Sequence, residues 1–357
     1  MAAEANVTRE EACAQQYAQW SGRFYINVYI LTPIMFAGSL MNTLNVVVFT
    51  KLKSSHPSIH LLKCLALADI GLLFGHFLAD TLRYLIFYIN NGDKVFADPF
   101  SIYPKMYAYG TRALRIGFVY ERNWLTVLIQ IERLLTVLYP LKASQWWTKK
   151  HMNRIIGAAT VLFFIWPSYF PLTLKIEEYM DPCHGPITQL VHKYPKIYVL
   201  CNKLIGPIFR LVIPCGAVLS INTALIVTLY VKFKQRQQLG GTSQKLLTGD
   251  SKATRMVISM SVTFLVLELP ATFSKVRSYA LPNAVIWELA MDIAYVTSDL
   301  NSCVNFILYC IVNKQFYQTL RQITCKTGSL EFTSNFVDVT VNRVINNSGG
   351  GVVCVEY

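Results

Sequence analysis

Charged and amide side chains stand where this chain is otherwise apolar, and its chemistry must lie there. Asn301, Ser302, Asn305 and Tyr309 recur at helical spacing in one apolar run. Residues four apart share a helix face, so Asn301, Asn305 and Tyr309 predict a polar stripe. Asn42 and Asp69 are single polar residues inside two other greasy runs. Arg112 and Arg115 lie about one turn apart in a third, with Arg122 two turns further on, so the three arginines share roughly one face. Glu268 lies deep in a sixth. In hydrocarbon such groups are costly unless they face protein or trapped water. Their chemistry is ion pairing and hydrogen bonding between helices. Covalent catalysis has nothing to stand on: there is no phosphate-binding glycine loop, no nucleophile with an adjacent base and no paired metal ligands. The nine cysteines show no CxxC spacing, so no metal is expected.

The elements that must position these groups follow from composition. Of 357 residues, 53% are hydrophobic and 15% charged, too apolar for a soluble domain of this length. A spanning helix needs about 20 mostly apolar residues. Seven stretches qualify, roughly 24–51, 58–89, 104–138, 152–174, 197–232, 254–280 and 284–312. The third and seventh carry the most polar residues, so a hydropathy window should rank them lowest. The expected fold is all-α: a seven-transmembrane-helix bundle over 24–312. A polar N-terminus (1–23) precedes it; an amphipathic eighth helix (313–326) and a disordered tail (327–357) follow. In the eighth helix Phe316, Leu320 and Ile323 share a face opposite Lys314 and Arg321, which fits the inner leaflet.

Orientation comes from the loops. With the N-terminus outside, the inner loops hold Lys51, Lys53, Lys63, Lys142, Lys149, Lys150, Arg154 and the basic run from Lys232 to Arg255, against one acid, Asp250. The net charge of +13 is therefore mostly a topology signal, and nucleic acid is not an expected partner. Asn6-Val7-Thr8 is a glycosylation sequon that agrees with this orientation, and the first helix serves as signal anchor. Segment 175–196 reads as an outer loop that carries Cys183 and the acids Glu177, Glu178 and Asp181. Glu132-Arg133 marks the inner boundary of the third helix, Pro270 a hinge in the sixth, and Cys325 a lipidation candidate.

Taken in order, these features resemble the rhodopsin-like G-protein-coupled receptors from about residue 24 to 326. The carriers are Asn42, Leu65–Asp69, Glu132-Arg133-Leu134, Pro140-Leu141-Lys142, Pro214, Phe264, Pro270 and Asn305-Phe306-Ile307-Leu308-Tyr309. Met41, Leu134 and Phe306 depart from the family's usual Gly, Tyr and Pro. Within the family, Tyr103-Pro104, Leu-Glu-Leu-Pro-Ala in helix six and the end of helix seven resemble invertebrate FMRFamide and myosuppressin receptors.

The resemblance implies a plasma-membrane receptor that couples an extracellular ligand to a heterotrimeric G protein. Asp69, Arg122, Glu132, Arg133, Phe264, Pro270, Asn301, Asn305 and Tyr309 would be its switch. The implied pocket is Asp80, Arg83, Arg112, Arg115, Tyr120, Glu268, Thr272, Lys275, Asp292, Tyr295 and Asp299, with Glu288 at the rim. Arg115 stands where amine receptors carry an Asp, so a peptide, in particular an amidated one ending in Arg-Phe, is the expected ligand. Its guanidinium would take Glu268, Asp80 or Asp292, in that order. The alternatives are a chemosensory receptor for a small non-peptide ligand and a receptor that captures ligand without coupling. A transporter would often show repeats, which are absent, and an opsin would need a Lys that 284–312 lacks. The family's disulfide partner on helix three is missing, which leaves Cys183 free or paired with Cys13. Arg122 falls where the family completes a sodium site with Asp69. No cofactor is therefore expected: Arg122 would pair with Asp69 in the ion's place, Glu268 being the rival partner.

Overall fold

A computed structural model describes residues 23–52, 57–82, 84–85, 110–168, 174–181, 185–238, 247–280 and 286–324. Among the described residues, seven long helices pack into one bundle. They are α1 (Arg23–Lys51) and α2 (Pro57–Thr81), α3 (Arg112–Leu138), α4 (Lys149–Ile165), α5 (Ile213–Gln238), α6 (Leu247–Ala280) and α7 (Ile286–Val312). Thr148 caps α4 by accepting from the His151 amide. α5 is entered through two stretches of wider π-type turns, Val199–Ile205 and Ile208–Val212, around Pro207. α6 continues through Pro270. Residues 314–324 form α8; Asn313 caps it, its Oδ1 accepting from the Phe316 amide at 3.1 Å.

By length and apolarity alone, α1, α2, α7 and the segment Ile208–Lys232 could each cross a membrane. α3 is not among them, because its arginines and Glu121 depress the window. α7 qualifies at a mean hydropathy of 1.2, the lowest of the four, because its amides and hydroxyls offset Ile, Leu and Val.

The bundle shows its greasiest side chains outward. Phe36 and Ile311 are 75% exposed, and Leu162, Val266 and Val161 more than half. A water-soluble protein does not present apolar surface of this extent; a bilayer requires it. Helices in lipid are held by close packing and interhelical polar bonds. At Gly38 a Cβ would meet Cys303 Sγ at 2.7 Å, so α1 and α7 touch only because that side chain is missing. At Gly75 a Cβ would meet the Arg115 Cα at 3.1 Å, and this close approach brings the start of α3 onto α2.

The largest dry core lies toward the Arg133 end. Val48, Phe49, Leu61, Leu65, Leu125, Ile129, Met260, Tyr309 and Phe316 are all buried there. Phe316 is fully buried, with ring centroids 5.2 Å from Phe49 and 5.4 Å from Tyr309. Leu320 and Ile323 pack on the same core, while Lys314 and Arg321 are exposed. The amphipathic face is thus seated on α1 and α7.

One expectation fails locally. The segment read as an outer loop forms an antiparallel hairpin, β1 (Leu174–Asp181) with β2 (Gly185–His192), in the register Leu174↔His192 to Asp181↔Gly185. Backbone pairing lets a polar segment order without an apolar core of its own.

Candidate functional site

The intramembrane polar residues fall into layers along the bundle axis. Nearest the Arg112 end, Arg115 donates to Asp80 and lies 4.4 Å over the Tyr295 ring. His76 joins them to α7: its Nδ1 lies 2.7 Å from Asp299 Oδ2 and its Nε2 3.5 Å from Asp80 Oδ2. Asp80 and His76 are four apart on α2, Tyr295 and Asp299 four apart on α7, so two helical stripes face one another. Asp80 is 26% exposed and Arg115 15%. This layer is partly open.

The second layer is closed. Arg122 ion-pairs with Glu268 of α6, and both are 1% exposed. Arg122 Nη1 donates to the Ser298 carbonyl at 2.9 Å, and Ser298 Oγ donates to Glu268 Oε1 at 3.0 Å. Arg122 Nε donates to Asn123 Oδ1 at 3.2 Å. Three helices therefore meet at one charge pair whose atoms are hydrogen-bonded on several sides.

The third layer centres on Asp69. Ser302 Oγ donates to its Oδ1 at 2.7 Å and Asn305 Nδ2 to its Oδ2 at 3.3 Å. Asn42 Nδ2 donates to the Ser302 carbonyl at 2.8 Å, and Asn45 Nδ2 to Asn42 Oδ1 at 3.2 Å. Asn301 is buried beside them. Ser302→Ala removes one donor from a buried carboxylate, and a stability loss of about 1–3 kcal/mol is expected. Thermal unfolding in nanodiscs measures it, and adding Asp69→Asn should cost less than the sum of the two single changes.

At the Arg133 end, Arg133 Nε lies 3.5 Å from Glu132 Oε2. Ser58 Oγ donates to the same carboxylate at 2.8 Å. Gln130 bonds to Ser261 of α6, and Lys232 of α5 donates to the Val137 carbonyl. Phe264 packs with Val127, Cys215 and Val218 between α3, α5 and α6.

Several expectations need correction. Arg122 makes its ion pair with Glu268 and not with Asp69, because its side chain reaches α6 and α7 while Asp69 is held by two α7 donors. Glu268, expected first among the carboxylates for a ligand, is 1% exposed and paired with Arg122, whereas Asp80, paired with Arg115, is 26% exposed. Tyr120 is buried, and its hydroxyl donates to the Gly206 carbonyl at 3.1 Å, so it is a wall between α3 and the entry to α5. Asn42 reaches α7 through a backbone carbonyl and not through Asp69 itself. Arg112 is half-buried at the start of α3.

Asn6, Cys13, Arg83, Tyr103, Pro104, Cys183 and Cys325 lie outside the described residues, as do the side chains of Thr272, Lys275, Glu288 and Asp292. Sequence reasoning did not give site roles to His76, Ser298, Ser58, Asn123 or Arg210. The spacing His76–Asp80 and the pair Ser298–Ser302 were the available signals.

A profile described as "Serpentine type 7TM GPCR chemoreceptor Srw" matches residues 29–327. A putative G-protein-coupled receptor of Caenorhabditis elegans is 25% identical over 347 residues, 88% of this chain and 77% of the relative. The probable G-protein-coupled receptor 142 of Mus musculus is 28% identical over 205 residues, 57% of this chain and 50% of the relative. The sex peptide receptor of Drosophila melanogaster is 25% identical over 222 residues, 56% of this chain and 51% of the relative. The chain spans about half the length of the mouse and fly relatives.

Proposed function

The chain belongs to the serpentine 7TM G-protein-coupled receptor family Srw, and on that footing we propose that it is a plasma-membrane receptor for an extracellular peptide, an amidated FMRFamide-like one in the finer reading. Its N-terminus lies outside and its tail in the cytosol. Residues 24–312 are the receptor domain, and the rhodopsin-like motifs of Asp69, Glu132-Arg133 and Asn305–Tyr309 carry its switch. The single observation behind the peptide reading is the partly open layer at the Arg112 end. Asp80, Arg115, His76, Tyr295 and Asp299 present both signs of charge there, which suits a ligand with its own charged side chains. Likeness to a sex peptide receptor supports it. Arg83, Thr272, Lys275 and Asp292 belong to the same proposed rim.

A ligand shifts a conformational equilibrium only by its differential affinity for the two states. A guanidinium from the ligand competes with Arg115 for Asp80. If it wins, Arg115 leaves the Tyr295 face and α7 is released toward the layer below. At the far end Arg133 parts from Glu132 and meets the G protein.

The test is a G-protein activation screen of the full-length receptor against amidated peptides containing Arg. With an active peptide in hand, Asp80→Asn is expected to weaken it about 10- to 100-fold, the loss of one charged hydrogen bond. Exchanging the pair as Asp80→Arg with Arg115→Asp should shift preference toward peptides carrying an acid in place of that Arg. Unchanged potency at Asp80→Asn refutes the direct contact. The second reading, a sensor of small non-peptide molecules, draws on the chemoreceptor description of the family. Activation by small metabolites with none by peptides would establish it.

A further inference from the structure

Three arginines of α3 each hold an acid: Arg115 with Asp80, Arg122 with Glu268, Arg133 with Glu132. Arg210, at the entry to α5, is different. It is 9% exposed, its Nε is buried with no hydrogen-bond partner, and among the described residues it makes no ion pair. Its backbone is pinned toward α3: Asn123 Nδ2 donates to the Arg210 carbonyl at 2.7 Å, and one turn back Tyr120 donates to Gly206 O at 3.1 Å. Trp124 Nε1 donates to the Phe209 carbonyl at 3.1 Å. The Arg210 backbone is therefore level with Asn123, beside the closed Arg122–Glu268 layer.

A lysine there could shed its proton. A guanidinium cannot, so the cation stays, and an unpaired charge in a membrane interior is costly. Planar carboxylates and sulfates match a guanidinium with two parallel hydrogen bonds. We propose that Arg210 is the anchor for an anionic group, a carboxylate or sulfate, carried by the extracellular ligand. This rests on the reading of the Arg112 end as the ligand site and adds to it. The ligand bears an acid as well as a base, the acid directed to α5 and the base to Asp80 on α2.

The test uses the full-length receptor in phosphatidylcholine nanodiscs, with sodium acetate as the carboxylate probe and sodium chloride at equal ionic strength as the control. Wild-type melting should rise in acetate over chloride. Arg210→Met should melt above wild type in chloride, because the unpaired cation is gone, and should not respond to acetate. Arg210→Lys should keep part of the response. A structural arginine predicts the reverse; a variant melting below wild type, or acetate acting equally on both, overturns the proposal. In a second arm, amidated agonists identical except for Glu or Gln are compared. The Glu member is expected to be more potent on wild type by about 30-fold or more, and the two to be equal on Arg210→Gln. Should no peptide activate while the acetate difference holds, the peptide reading falls and the anion anchor stands. Should peptides activate with no preference for the acid, the anchor alone falls.

Discussion

Arg122→Met is expected to lower the stability of the receptor by about 3–5 kcal/mol, the usual cost of stranding one member of a buried ion pair. Glu268, 1% exposed, would lose its countercharge while staying buried. Glu268→Gln should be milder, since an amide still accepts from Arg122. Arg122→Met combined with Glu268→Leu should recover most of the loss, because two apolar groups of similar volume replace a pair that is costly to desolvate. Thermal unfolding in nanodiscs reads all three. The same pair ties α6 to α3 and α7 two residues from Pro270. The double replacement, stable but unlatched, should therefore raise agonist-independent G-protein activation. A double variant that folds and stays silent would show that the pair supports packing only.

Phe316→Ala is expected to cost about 3–5 kcal/mol, the range for deleting a buried phenyl ring. Phe316 is fully buried against Phe49 and Tyr309, so its loss opens a void between α1, α7 and α8. Phe316→Leu should cost much less. Cysteine accessibility along 314–324, scanned by single substitutions in otherwise wild-type receptor, should rise in Phe316→Ala as α8 lifts. No change there would mean that Leu320 and Ile323 suffice to seat the helix.

Much of this architecture can be read from the chain before any coordinates. Seven apolar runs with isolated polar residues dictate a bundle, and helical spacing dictates which residues line up. Spacing along one helix does not fix its rotation relative to another, however. Asp69 and Glu268 are both intramembrane carboxylates, and only the packing of α3 against α6 decides which one Arg122 reaches. Serines were hard to weigh: Ser298 and Ser58 are small, unremarkable in a membrane helix, and matter only once a carboxylate lies opposite. The hairpin was hidden for another reason. Its strands mix acids with apolar residues and lack a clean alternation, so composition alone reads as loop. Arg210 was overlooked beside prolines that drew attention to the kinks of the same segment.

Ser298 and Ser302 stand one helical turn apart on α7. The first grips the Arg122–Glu268 pair and the second grips Asp69. Any rotation of α7 that frees one hydroxyl also swings the other, since both ride on the same rigid rod. Loosening cannot creep down the axis one bond at a time. The middle of the molecule is therefore expected to let go all together, as a toggle does, so that a faint stimulus above would leave the far end undisturbed.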